Sequence, residues 1–216
     1  MQIRQFVSGL LNSKMYLLCE GGHAVVFDPF VYEFAQEPRL DFSLLTHEHY
    51  DHISGVNYLK EQMQIPVMCS KRCAEFIEDP RKNAARYFDA FVHLQSWTEV
   101  NPDAEIDHNY SCHADRVLED HCVLKWAGHE IQCIVLPGHS PGGMGYLVDE
   151  KILFSGDNII PNSKTELRMP YGNKKEWYSV TKPYLDRLCD DVIVYPGHGS
   201  CIRIGEWRKS QGGFDA

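Results

Sequence analysis

The sequence has no uncharged apolar run near the roughly 20 residues that a membrane-crossing helix needs, so no transmembrane segment is predicted. It has no excess of positive charge either: 21 Lys and Arg stand against 30 Asp and Glu, a formal net charge of −9. Large nucleic acids and anionic membrane surfaces both require a basic face, so neither is expected as a partner. No Cys-x-x-Cys pair occurs among the eight cysteines, which excludes a zinc ribbon and a thioredoxin-type site. The apolar residues near the amino terminus are interrupted by Asn12, Ser13 and Lys14, too soon for the core of an export signal. Free thiols in a reducing compartment are therefore expected, and a cytoplasmic protein. Repeats and low-complexity linkers are also missing. What is there is a globular composition, 44% hydrophobic and 24% charged over 216 residues, enough for one domain with a sizeable core.

Short apolar runs between turn signals dominate both halves of the chain. Met15–Cys19 and Ala24–Phe27 read as a hairpin across Gly21-Gly22, followed by strands at Phe42–Leu45 and Pro66–Cys69. Val123–Trp126, Glu130–Leu136, Met144–Val148, Ile152–Phe154 and Asp191–Tyr195 continue the pattern. Helices are predicted over Ile53–Met63, with Val56, Leu59 and Met63 on one side, and over Lys175–Cys189. From Arg72 to His121 the character changes, with 11 acidic and 5 basic residues and aromatics at Phe76, Tyr87, Phe88, Phe91, Trp97 and Tyr110. Periodicity there is partly helical in Lys82–Leu94 and poor in Asn101–Ser111. This stretch reads as an insert in a single 1–216 domain. It is either a surface excursion or a lid or substrate-selecting insert, since long insertions in compact domains are often functional. Cys69, Cys73, Cys133 and Cys189 have apolar neighbours and read as small core residues.

Chemistry concentrates in Thr46-His47-Glu48-His49-Tyr50-Asp51-His52. Three imidazoles and an Asp carboxylate within six positions make a poor core segment and a good ligand set. In an extended loop, i and i+2 point the same way, so His47 and His49 can reach one metal. Asp51 and His52 open the next helix and can turn toward a second point nearby. Such donors suit zinc, and also iron or nickel. Three later segments each present one polar residue on a Gly-containing turn at a strand end. They are Pro137-Gly138-His139-Ser140-Pro141-Gly142, Phe154-Ser155-Gly156-Asp157 and Tyr195-Pro196-Gly197-His198-Gly199. Small residues let backbone approach a site closely and aim one side chain into it.

The order His-x-His-x-Asp-His, His, Asp, His resembles the metallo-β-lactamase-fold hydrolases, particularly the small glyoxalase II-like members. The match runs from about Met15 to Glu206 and includes Asp28 after an early strand. The resemblance implies an α/β fold, a four-layer αββα sandwich, with two metal ions, zinc or else iron. It puts His47, His49 and His139 on one ion, Asp51, His52 and His198 on the other, and Asp157 between them. A hydroxide shared by the ions would attack a small thioester or ester, with Asp51 as catalytic acid–base and Asp28 orienting ligands from behind. Persulfide dioxygenases using one iron, lactonases and phosphodiesterases are the alternatives within the superfamily. Lys164, Arg168 and Tyr171 follow Asp157 where related enzymes have a loop near the cleft, and are weaker candidates for binding substrate. This chain departs in reading Asp28-Pro29-Phe30 where the family commonly has Asp-Pro-Gly. It ends 18 residues after His198, so the helical domain that grips glutathione in full glyoxalase II is not expected, and a glutathione thioester is not implied. Nothing in the pattern specifies an oligomeric state.

Overall fold

The computed structural model describes residues 1–90 and 105–211. Twelve strands among them form two six-stranded sheets. The first sheet lines up β1 (Gln2–Val7), β2 (Lys14–Glu20), β3 (His23–Phe27), β4 (Arg39–Leu44), β5 (Val67–Ser70) and β6 (Arg116–Leu118) in chain order. β1 to β3 are an antiparallel meander, and β3 to β6 pair in parallel. In the second sheet β7 (Cys122–Trp126), β8 (His129–Val135), β9 (Met144–Val148) and β10 (Ile152–Gly156) are antiparallel neighbours. β11 (Ile193–Pro196) then lies parallel to β10, and β12 (Ile202–Arg203) closes that edge.

Side chains on a strand alternate faces, and β2 shows what this produces. Tyr16 and Leu18 join Val25, Phe27 and Leu44 in a core shared with Cys133, Tyr146 and Phe154 of the second sheet. Phe27 and Phe154 stack there with ring centroids 3.8 Å apart. Met15, Leu17 and Cys19 face the other way, onto Phe34, Leu59 and Ile65. On the far side, Leu147, Leu153 and Val194 are covered by Trp177, Leu185 and Trp207. Helical segments therefore cover both outer faces, which makes the four-layer αββα sandwich. Burial of each large apolar side chain contributes roughly 1.5–3 kcal/mol.

Several local expectations change. The helix predicted over Ile53–Met63 is three pieces: α1 (Tyr50–Ile53), α2 (Val56–Tyr58) and a wider π turn at Leu59–Met63. Gly55 is the break. Its N–H donates to the Pro29 carbonyl at 2.8 Å, and a Cβ at this position would lie 2.4 Å from the Phe30 backbone. After α3 (Lys71–Phe76), the helix predicted over Lys175–Cys189 is likewise divided, into α4 (Lys174–Glu176), a π turn at Trp177–Thr181 and α5 (Lys182–Arg187). Cys189 is exposed beyond α5 rather than in the core, while Cys69, Cys73 and Cys133 are buried; all eight cysteines are free thiols. The chain continues through β11 and β12 into α6 (Ile204–Gln211), which carries Trp207.

The Arg72–His121 stretch contributes most of α3 and strand β6, and buries Cys73, Ile77, Phe88, Tyr110 and Cys112 in one cluster. Of Lys82–Leu94, Ala85–Tyr87 is a 3-10 turn, and residues 91–94 lie outside the described residues. Residues 101–104 of the Asn101–Ser111 segment also lie outside them. No helix among the described residues is long and apolar enough to cross a membrane.

Candidate metal centre

Parallel strands β3 and β4 of one sheet, and β8, β10 and β11 of the other, bring their carboxyl ends to one rim of the sandwich. Asp28 follows β3, the Thr46–His52 loop follows β4, and His139, Asp157 and His198 follow β8, β10 and β11. Hydrogen bonds lace this rim together. The Met144 N–H donates to the Thr46 carbonyl (2.7 Å), the Gly197 N–H to Gly156 (3.0 Å) and the Tyr146 hydroxyl to Leu45 (2.7 Å). Gly197 leaves room that no other residue would, because a Cβ there would sit 2.0 Å from Asp157 Oδ1.

Two buried groups of donor atoms result: His47, His49 and His139, and Asp51, His52 and His198. His49 Nδ1 and His139 Nε2 are 3.2 Å apart; His52 Nε2 and His198 Nε2 are 3.3 Å apart. Asp51 Oδ2 lies 3.4 Å from His52 Nε2 and 3.3 Å from His198 Nε2. Donors at ~2.05 Å from a tetrahedral ion stand roughly 3.3 Å from one another, so these spacings fit atoms that share a cation. Asp157 faces both groups. Its Oδ1 is 3.4 Å from His52 Nε2, and its Oδ2 is 3.4 Å from His198 Nε2 and 3.6 Å from His139 Nε2. His47 Nε2, Asp51 Oδ2 and Asp157 Oδ1 are buried with no hydrogen-bond partner. Orphaned polar atoms cost about 1–3 kcal/mol each in a dry interior, and a cation among them removes that cost.

The opposite ring nitrogens are engaged, which directs the other nitrogen of each ring inward. His139 Nδ1 donates to the Glu166 carbonyl at 2.7 Å and His198 Nδ1 to that of Leu11 at 3.0 Å. His52 Nδ1 donates to Asp28 Oδ2 at 3.2 Å. His47 Nδ1 lies 3.0 Å from the Thr46 hydroxyl, which donates in turn to Asp28 Oδ2 at 2.6 Å. Asp28 therefore orients one histidine of each group, and the Thr46 N–H secures its other oxygen at 2.7 Å. Asp28, His47 and His52 also lie close enough to count as a ligand trio. With Asp28 already accepting these bonds, orientation of the two rings is the role its contacts describe.

Charge divides the two groups. Burial holds His47 and His139 below the ordinary imidazole range and takes His49 down to about 3. Burial also opposes charge on His52, but Asp51 and Asp157 outweigh it and raise its pKa to about 9. His198 is raised well above its ordinary value, its burial outweighed by Asp157 and Asp51. Burial works against the Asp157 carboxylate, yet His198 and His52 hold its pKa well below the usual carboxylate value.

All seven residues of the implied ligand set thus converge, with Asp28 behind them. The weaker candidates lie elsewhere. Lys164 and Arg168 line a separate cavity of about 330 Å³ with Trp177, Tyr178 and Trp207, where Arg168 pairs with Glu166 at 2.8 Å. Tyr171 is half exposed, against the Phe76 ring. From the same loop it is Met169 that reaches the metal-ligand cleft, which Ala84 and Phe88 of the Arg72–His121 stretch also line.

Sequence reasoning missed Glu48, although it lies inside the motif. Glu48 is 1% exposed and accepts bonds from the Ser140 hydroxyl (3.0 Å) and the Gly142 N–H (3.1 Å). It ties the loop carrying His47 and His49 to the turn carrying His139. Burial pushes its pKa up to about 7 in spite of these bonds. A carboxylate between two histidines of the motif was the available signal; its partner, 92 residues away, was not.

A family model for the metallo-beta-lactamase superfamily matches residues 8–198, and the chain belongs to that superfamily of hydrolase-type enzymes. It is similar to hydroxyacylglutathione hydrolase GloC of Haemophilus influenzae, with 29% identity over 178 residues, spanning 80% of this chain and 74% of the relative. The probable metallo-hydrolase YqgX of Bacillus subtilis is 24% identical over 207 residues, 92% of this chain and 90% of the relative. Among solved structures, the BLEG-1 B3 metallo-beta-lactamase superposes with a TM-score of 0.77 at 25% identity, covering 96% of this chain and 97% of the other.

Proposed function

We propose that this protein is a dinuclear metal-dependent hydrolase of small thioesters or related esters. His47, His49 and His139 would hold one ion, Asp51, His52 and His198 the other, and Asp157 would serve both. The observation that carries this reading is Asp157, whose Oδ1 lies 3.4 Å from His52 Nε2 and whose Oδ2 lies between the groups, 3.4 Å from His198 Nε2 and 3.6 Å from His139 Nε2. The imidazole and carboxylate donors suit zinc first and iron second. Bound as a pair, the ions would make water nucleophilic near neutral pH and polarise the carbonyl.

The chain's own residues supply the rest. Asp51, buried with its Oδ2 3.3–3.4 Å from His198 and His52, would accept a proton from the attacking water and return it to the leaving group. A C–O bond forms at the acyl carbon, the C–S or C–O bond to the leaving group breaks, and the proton ends on the released thiol or alcohol. Ala84, Phe88, Ile160 and Met169 give the cleft apolar walls that keep bulk water out. The relative named hydroxyacylglutathione hydrolase supports the thioester choice.

The test is a panel of thioesters, lactones, phosphodiesters and a persulfide on protein of measured metal content. Thioester cleavage with two ions per chain is expected. Oxygen uptake on the persulfide with one iron per chain would replace this reading with a dioxygenase.

A further inference from the structure

The cleft at the ligand atoms is small, about 30 Å³, too little for a substrate. It shares Leu11, Ile160 and His198 with a neighbouring groove of about 590 Å³, within the range of small-molecule sites. One wall of the groove is the loop between β1 and β2 together with the start of β2; the other is the segment after Asp157. Val7, half exposed, and Pro161 give it apolar surface, and Asn12 and Asn162 add side-chain amides.

Apart from His198 at its metal-facing end, the groove contains one ionisable side chain, Lys14. Its position is fixed by the backbone, because the Lys14 N–H donates to the Gly197 carbonyl at 2.8 Å, next to His198. The Lys14 ammonium has no hydrogen-bond or ion-pair partner among the described residues, although other lysines such as Lys60 and Lys182 do. Partial burial lowers its pKa, as expected of a charge short of solvent. A cation held in a mostly apolar groove beside the reacting centre is a recognition element for an anion.

We infer that the groove binds the remote part of the substrate and that Lys14 pairs there with an anionic group, a carboxylate or its equivalent. This inference rests on the hydrolase reading above and narrows its substrate class. The anion can belong to the acyl chain or to the leaving group, and paired substrates separate the two. In the acyl arm, glutaryl and valeryl thioesters of neutral N-acetylcysteamine are compared. In the thiol arm, acetyl thioesters of 3-mercaptopropionate and N-acetylcysteamine are compared.

In one arm the natural chain should prefer the anionic member by about tenfold in kcat/KM, the size of one charge-assisted contact. Lys14→Met should bring that ratio close to one, Lys14→Glu should invert it, and Lys14→Arg should restore most of it. A ratio within one protein cancels any general loss of folded or loaded enzyme. A ratio near one in both arms, or a preference that survives Lys14→Met, overturns the inference while leaving the hydrolase intact. A protein that cleaves no thioester fails the hydrolase reading instead. The groove is then still decided by calorimetry on the metal-loaded protein. Glutarate should bind the natural chain about tenfold more tightly than it binds Lys14→Met; equal affinities in the two proteins overturn the anion site.

Discussion

The two donor groups share one rim and both face Asp157, yet their electrostatics differ sharply. His47, His49 and His139 are imidazoles that burial keeps neutral, with His49 down to about 3. Beside them, Asp51 and Asp157 turn His52 and His198 into strong bases, with His52 at about 9. Burial is the same for both groups. The difference comes from where the carboxylates sit, since a charge a few ångströms away outweighs desolvation of an imidazole. In the metal-free protein, protons on His52 and His198 take the place of a cation. On the proposed reading, the first group would offer neutral imidazoles to a metal, whereas the second would have to release protons before an ion could enter.

The heaviest blow to this arrangement is Asp157→Asn, which keeps the shape and removes the charge facing both groups. We expect metal occupancy to fall and kcat to drop by roughly 10²-fold or more, about 2.7 kcal/mol of transition-state stabilisation. Full loading and full rate in that variant would reduce Asp157 to a turn residue after β10. A smaller effect should separate the groups. His198→Ala is expected to lower metal content toward one ion per chain, because His47, His49 and His139 remain, with a rate loss of roughly 10- to 100-fold. His139→Ala should empty the other position instead, and elemental analysis of both variants compares them directly.

Acidity sharpens the contrast further. His52 has a folded pKa raised from 6.5 to about 9, so its contribution to metal-free stability is full below pH 6.5 and is lost as pH rises through about 9. Over the same window its proton stops competing with metal. With His52 and His198 both giving up protons, affinity at the second position should therefore rise by up to about 100-fold per pH unit between pH 7 and 8, while the first changes little. Chelator competition at several pH values reads both, and parallel slopes would contradict the division. The mildest change is Glu48→Gln, which keeps one acceptor for Ser140 and Gly142. A loss of about 1 kcal/mol in urea unfolding of the loaded protein is expected, with little effect on metal stoichiometry.

The sequence by itself showed the strand pattern and the His/Asp segments, and through them the resemblance that implies the sandwich and the ligand set. Pattern and segments are encoded locally: His47 and His49 are two apart on a loop, and each later ligand follows an apolar run and sits in a small-residue turn. Elements formed by distant contacts were not legible. β6 is a strand because β5 lies beside it, and helix Ile53–Met63 breaks because Gly55 meets the backbone at Pro29 and Phe30. Lys164 and Arg168 lie near Asp157 in sequence but line a different cavity, whereas Lys14, far away in sequence, is fastened to the His198 turn. Glu48 became structural only when Ser140 arrived from 92 residues away. The order of the His and Asp segments is written in the chain, so the family resemblance can be read from the chain alone. Which charges face which histidine, and which cation faces the groove, is set by the packing of two sheets whose strands are distant in sequence, and only the tertiary structure decides that.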